Sequence, residues 1–208
     1  MNIEHRIMAA AVLAIAALTG GAAGAQDYYI KGFGGWTMPD DDDFTLNDRD
    51  TGTGASSGLE YDTGTVLGAG IGYDYSRSLS LEAEYVYRDA DARLRGGANG
   101  STESNAWMVN ALYRFRPLGP GEAVHPYAGG GIGIADLTVE NAGQTFGSDY
   151  EFAWQLIGGL GYDVTPNVQL FGEARYFVIN EESVGNGGFD FRSGYDSFDV
   201  LFGASYRF

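Results

Sequence analysis

Residues 198–208 read FDVLFGASYRF. In steps of two, Phe198, Val200, Phe202, Ala204, Tyr206 and Phe208 are apolar or aromatic. Between them Asp199, Gly203, Ser205 and Arg207 are small or polar, with Leu201 the one exception. Successive side chains of an extended strand point to opposite faces, so this period of two makes one greasy and one polar face. A soluble sandwich would cover the greasy face with a second sheet. A strand in a lipid-facing wall would leave it bare.

The same alternation recurs along the chain. Turn signals and period-two patterning predict eight strand segments, at 28–38, 63–75, 79–89, 105–116, 127–140, 150–164, 168–179 and 195–208. In the third, Leu79, Leu81, Ala83, Tyr85 and Tyr87 alternate with Ser80, Glu82, Glu84, Val86 and Arg88. The fifth is the hardest to assign, because Gly129, Gly130 and Gly131 blur which face is which. Short turns at 76–78 and 165–167 and a Pro/Gly loop at 117–124 alternate with longer polar links near 39–62, 90–104, 141–149 and 180–194. Short turns at one rim and long loops at the other, with an even strand number, are expected of an antiparallel barrel crossing an outer membrane.

The aromatic spacing sets a scale. Tyr28 and Trp36, Trp107 and Phe115, and Trp154 and Tyr162 lie eight apart on outward faces. Eight steps cover roughly 26 Å of strand. A tilt near 40° reduces this to about 20 Å of height, close to the apolar band of such barrels. Glycine is abundant at 33 residues and sits mainly within these segments, where it relieves crowding on a curved sheet. Gly72-Tyr73-Asp74 and Gly161-Tyr162-Asp163 align at a shift of 89. Duplication and equal geometric demand at equivalent tight turns both explain that repeat.

At the N-terminus, residues 7–18 (IMAAAVLAIAAL) form an apolar run too short to span a bilayer as a helix. Ala23-Gly24-Ala25 follows as a small-x-small cleavage pattern. Residues 1–25 are expected to be a cleaved signal peptide and 26–208 a single barrel domain. With no cysteine, stability must come from barrel closure and packing rather than disulfides.

The opening Tyr28-Tyr29-Ile30-Lys31-Gly32-Phe33-Gly34-Gly35-Trp36, the two Gly-Tyr-Asp turns and the closing Ser205-Tyr206-Arg207-Phe208 resemble the small OmpA/opacity-type bacterial outer-membrane β-barrels, including alphaproteobacterial surface antigens. The resemblance covers most of the chain after residue 25. It implies an all-β, single-domain transmembrane barrel of about eight strands in the bacterial outer membrane, with short periplasmic turns and longer acidic extracellular loops. It implies that Phe208, Tyr206 and Phe202 form the assembly signal read by the barrel-assembly machinery. The expected surroundings are outer-membrane lipid and lipopolysaccharide, and the expected state is a monomer without cofactors. The family hosts adhesins, narrow pores and protective shells, so the resemblance fixes location better than activity.

The formal charge is −16. On the inward faces Asp74, Glu82, Glu84, Glu151, Asp163, Glu173 and Asp199 meet Lys31, Arg88, Arg114, Arg116, Arg175 and Arg207, a near balance. An eight-stranded barrel holds only its own side chains or one small ligand. The expected lumen is therefore plugged by an ion-paired network of Lys31, Glu82, Glu84, Arg88, Arg114, Glu173, Arg175, Asp199 and Arg207. The charge excess lies in the loops. Residues 39–62 hold eight acids and one base, a net of −7. Asp40, Asp41, Asp42 and Asp43 read either as a solvated loop tip, as a divalent-cation site or as a face for a basic partner.

Enzymatic chemistry finds little footing. Of two histidines, His5 lies in the leader and His125 falls beside Pro126 at the short-turn rim. Glu84 and Glu173 could be an acid/base pair, but no sugar would reach them inside a narrow barrel. Gly129 to Gly133 lacks the Lys-Ser/Thr of a phosphate loop, and the chain lacks the basic patch that nucleic-acid binding needs. The expectation is a non-enzymatic barrel with a structural, envelope-integrity or loop-mediated interaction role. The alternative is a narrow porin-like channel; an outer-membrane enzyme ranks behind both.

Overall fold

The structure is a computed structural model. It describes residues 27–40, 43–48, 54–61, 63–94, 99–141, 144–147, 150–180, 184–186, 189–191 and 195–208. The expected signal peptide lies outside these residues.

The strands in chain order are β1 (Tyr28–Pro39), β2 (Asp43–Asp48), β3 (Gly54–Tyr61), β4 (Gly64–Asp74), β5 (Leu79–Leu94), β6 (Asn99–Arg114), β7 (Val124–Asn141), β8 (Gln144–Gly147), β9 (Glu151–Asp163), β10 (Val168–Ile179), β11 (Val184–Asn186), β12 (Phe189–Phe191) and β13 (Tyr195–Arg207). Eight of them, β1, β4, β5, β6, β7, β9, β10 and β13, pair antiparallel with their neighbours, and β1 closes on β13. They coincide with the eight segments read from the sequence.

Register fixes the barrel's shape. From Met38 the directly opposed residues are Phe198, Tyr176, Leu156, Gly130, Ala111, Leu81, Tyr73 and finally Tyr28. The circuit returns to β1 ten residues from its start (38 less 28). For eight strands, that stagger sets a tilt of about 40° and a backbone radius of about 8 Å. The lumen is therefore wide enough only for side chains.

Alternation sorts the residues as the sequence predicts. In β13 Asp199 and Leu201 are buried inward, while Phe198, Phe202, Tyr206 and the following Phe208 stand exposed outward. Ile30, Trp36, Leu67, Leu156, Leu160 and Leu170 extend the bare apolar wall. Lipid takes the place of a second sheet there. On β5, β6 and β7 the outward apolar stretch ends where polar residues begin, at Asp89, Glu103 and Asp136.

The links read as plain loops differ from that reading. β5 and β6 run on as strands well past the apolar band, and β2 with β3 makes a hairpin within 39–62. Once strands leave the membrane both faces meet water. Hydrophobic alternation then vanishes although backbone pairing continues.

The fifth segment is resolved by its neighbours. Gly129, Gly131 and Gly133 face inward opposite Leu112, Asn110 and Met108 of β6. A Cβ on Gly129 would stand 2.2 Å from the Ala111 carbonyl oxygen, and one on Gly131 would stand 1.9 Å from Asn110 Oδ1. Glycine is required there by close approach.

The two Gly-Tyr-Asp turns share one hydrogen-bond plan. Ser76 Oγ accepts from the Leu79 N–H at 3.1 Å, and Thr165 Oγ1 accepts from the Val168 N–H at 3.0 Å. Across each turn Ser80 donates to Asp74 (3.0 Å) and Gln169 donates to Asp163 (2.7 Å). Each of these four positions in the first turn maps onto its counterpart at the shift of 89.

Candidate functional site

Three strands build the middle of the lumen. β1 directs Tyr29, Lys31 and Phe33 inward, β5 directs Glu82 and Glu84, and β10 directs Phe171, Glu173 and Arg175. All five charged groups are at most 5% exposed. Lys31 Nζ lies 2.7 Å from both Glu82 and Glu84 and 3.5 Å from Glu173. Arg175 donates from Nη1 to Glu84 Oε2 and from Nε to Glu173 Oε2, each at 2.7 Å. Its Nη2 reaches Glu84 at 3.2 Å and also bonds Glu173.

Two tyrosines complete the cluster. Tyr29 Oη donates to Glu82 at 2.7 Å and Tyr127 Oη donates to Glu173 at 2.8 Å. The cations rest on aromatic faces, with Lys31 Nζ 5.3 Å from the Phe171 ring centre and Arg175 Cζ 4.7 Å from that of Phe33. Burying an ion is costly unless it is paired and hydrogen-bonded. Here every carboxylate meets a cation. The pocket left beside Tyr29, Glu82, Tyr127 and Glu173, about 30 Å³, has room for water.

Two further ion-paired layers flank this plug. Toward the long-loop end, Arg88 donates from Nε (3.0 Å) and Nη2 (2.8 Å) to Asp199 Oδ2, and its guanidinium lies 3.9 Å from the Phe177 ring centre. At the short-turn end, Arg114 and Arg207 both pair with Asp74, the latter at 3.1 Å. Below them an open vestibule of about 820 Å³ widens toward the rim.

The nine lumen residues named from the sequence thus fall into three groups. Lys31, Glu82, Glu84, Glu173 and Arg175 form one cluster, Arg88 and Asp199 a second, and Arg114 and Arg207 a third. Arg88 pairs with Asp199 across the barrel. Arg116, two residues past the end of β6, is exposed and lines the vestibule without an ion pair among the described residues.

The sequence reading left out Tyr29 and Tyr127 as donors, and the buried bond from Gln155 Nε2 to Asn110 Oδ1 (2.7 Å). For Tyr29 the signal was its inward parity with Lys31. Outside the lumen, His125 Nε2 stands 2.7 Å from Asp163 Oδ2 at the short-turn rim.

Phe202, Tyr206 and Phe208 line the outer wall. Tyr206 and Phe208 pack edge to face at 5.5 Å, and Phe202 meets Trp36 at 6.3 Å. The Phe208 N–H donates to the Tyr28 carbonyl at 3.1 Å, tying the last residue to β1. Of the acid run, Asp40 is exposed and its N–H bonds the Asp196 carbonyl at 3.0 Å. Asp41 and Asp42, and the side chain of Asp43, lie outside the described residues. Among those described, no group of three His, Cys, Asp or Glu is arranged to hold a metal ion.

The family model for the outer membrane protein beta-barrel domain matches residues 7–208. Among solved structures, Neisserial surface protein A aligns over 89% of this chain and 100% of its own, with 18% identity and a TM-score of 0.55. The outer membrane protein AlkL, determined in lipid bilayers, aligns over 91% of this chain and 94% of its own, with 18% identity and a TM-score of 0.57. At these identities the likeness is one of fold. No curated protein sequence matches.

Proposed function

Since the chain belongs to the outer membrane protein β-barrel family and resides in the bacterial outer membrane, we propose that it is a closed structural barrel that supports the envelope and presents acidic loops at the cell surface. The observation carrying this reading is the cluster of Lys31, Glu82, Glu84, Glu173 and Arg175, which fills the lumen at mid-height. Ions cannot pass a layer of interlocked, ion-paired side chains in a barrel of about 8 Å backbone radius without displacing them. No catalytic role is assigned to His125 and Asp163. The acidic segment 39–62 supports the surface role through its charge, and the belt of exposed apolar residues supports contact with lipid and lipopolysaccharide as a monomer.

Single-channel recording of the refolded protein in a planar bilayer tests this. A silent bilayer, together with a heat-sensitive shift on a denaturing gel that shows the barrel folded, is the expected result. Discrete, reproducible openings would overturn it in favour of a narrow channel. That second reading draws on Asn110 Nδ2, Gln155 Oε1 and Ser104 Oγ, buried polar atoms on one wall without a hydrogen-bond partner among the described residues. Waters beside the plug would satisfy them.

A further inference from the structure

Seven described residues with described side chains are lysine or arginine. Five of them, Lys31, Arg88, Arg114, Arg175 and Arg207, are consumed by the lumen pairs. The other two, Arg77 and Arg116, are exposed and have no ion pair among the described residues. They fall on the same sector of the short-turn rim. Arg77 sits in the β4–β5 turn and Arg116 just past β6, and these segments are joined by the Arg114 N–H donating to the Ser78 carbonyl at 2.8 Å.

Exposed aromatics stand beside them. Tyr75, Tyr113 and Phe115 are each more than half exposed, and Tyr113 packs edge to face on Phe115 at 5.3 Å. Amphipathic rings of this kind sit at headgroup level. The vestibule that Arg77 and Arg116 line also carries Asp27 and Glu122, two acids without a described ion-pair partner. The rim therefore offers guanidinium forks for a phosphate, carboxylates for a cation, and aromatic faces for acyl chains.

We propose that this sector binds one phospholipid of the periplasmic leaflet, a phosphoethanolamine lipid, with its phosphate on Arg77 and Arg116 and its ammonium toward Glu122, which lies on the same β6–β7 link as Arg116. The inference rests on the short-turn rim facing the periplasm and is independent of whether the lumen conducts. The two arginines cost nothing in lumen pairing, so they are free to act on lipid. Equal numbers of unpaired acids and bases favour a zwitterion over a purely anionic headgroup.

Native mass spectrometry of the refolded full chain in detergent tests this. Phosphatidylethanolamine, phosphatidylglycerol and a phosphate-free galactolipid are added in turn. Phosphatidylethanolamine should be retained best and the galactolipid least. R77A/R116A should weaken phosphatidylethanolamine retention about 30-fold, at roughly fivefold per arginine. R77K/R116K should keep most of it, with heat-modifiability unchanged in both variants. Retention by R77A/R116A equal to wild type would overturn the site, as would equal retention of the galactolipid. Phosphatidylglycerol held as well as phosphatidylethanolamine would overturn the ammonium assignment. Displacement by soluble phosphoethanolamine at the concentration of the lipid would overturn the lipid in favour of a free phosphoester.

Discussion

Arg175 shows how much a single buried side chain can hold. It is fully buried and bonds two carboxylates from two strands. Removing it leaves Glu84 and Glu173 short of a counter-ion in a low-dielectric interior. Arg175→Ala should destabilise the barrel by about 3–5 kcal/mol, read from urea unfolding in lipid. A change near zero would mean that water reaches the plug. Gly129 makes a different kind of demand: its missing Cβ would strike backbone, which has nowhere to move. Gly129→Ala should cost about 1–3 kcal/mol. Gly158→Ala, where a Cβ meets nothing within 4 Å, should be near neutral. Equal effects in the same unfolding assay would refute the close-approach explanation. Such pairings were only half legible in the sequence. Inward parity named the charged groups, but Lys31 meets Glu82 across 51 residues and Arg88 meets Asp199 across 111. Spacing cannot choose partners at that distance.

At the scale of elements, β13 was the most legible strand because one face meets lipid and the other a packed lumen. The extensions of β5 and β6 were the least legible, for water wets both of their faces. β7 was obscured within the membrane too, since its inward glycines are dictated by Leu112, Asn110 and Met108 on the neighbouring strand. The β13 pattern also carries a prediction about assembly. Phe208 is exposed on the outer wall and hydrogen-bonded by its backbone to β1, so the ring contributes little to lumen packing. Phe208→Ser should lower the amount of protein inserted in the outer membrane while leaving the unfolding midpoint of inserted molecules nearly unchanged. Quantifying the outer-membrane fraction and its denaturant midpoint separates the two effects. Wild-type levels of insertion would remove the assembly role.

As a whole, the molecule is a closed sheet whose stability resides in continuous pairing rather than disulfides. Unboiled and boiled samples should migrate differently on a denaturing gel, because detergent alone does not open a closed barrel. Identical migration of a correctly refolded sample would contradict the closed form. Charge is divided along the axis: paired within the lumen, strongly acidic in the segment 39–62, and carrying two unpaired arginines at the opposite rim.

The seam between β1 and β13 also governs timing. The strand that leaves the export machinery first must wait for the strand that leaves last, with nearly the whole barrel between them. Until β13 arrives, both edges of the growing sheet present unpaired backbone, the arrangement that invites sticking to other chains. A molecule deprived of β13 is therefore a hazard rather than a slightly weaker barrel. The cell has reason to escort this chain until its end is in hand, and to destroy it quickly when that end never comes.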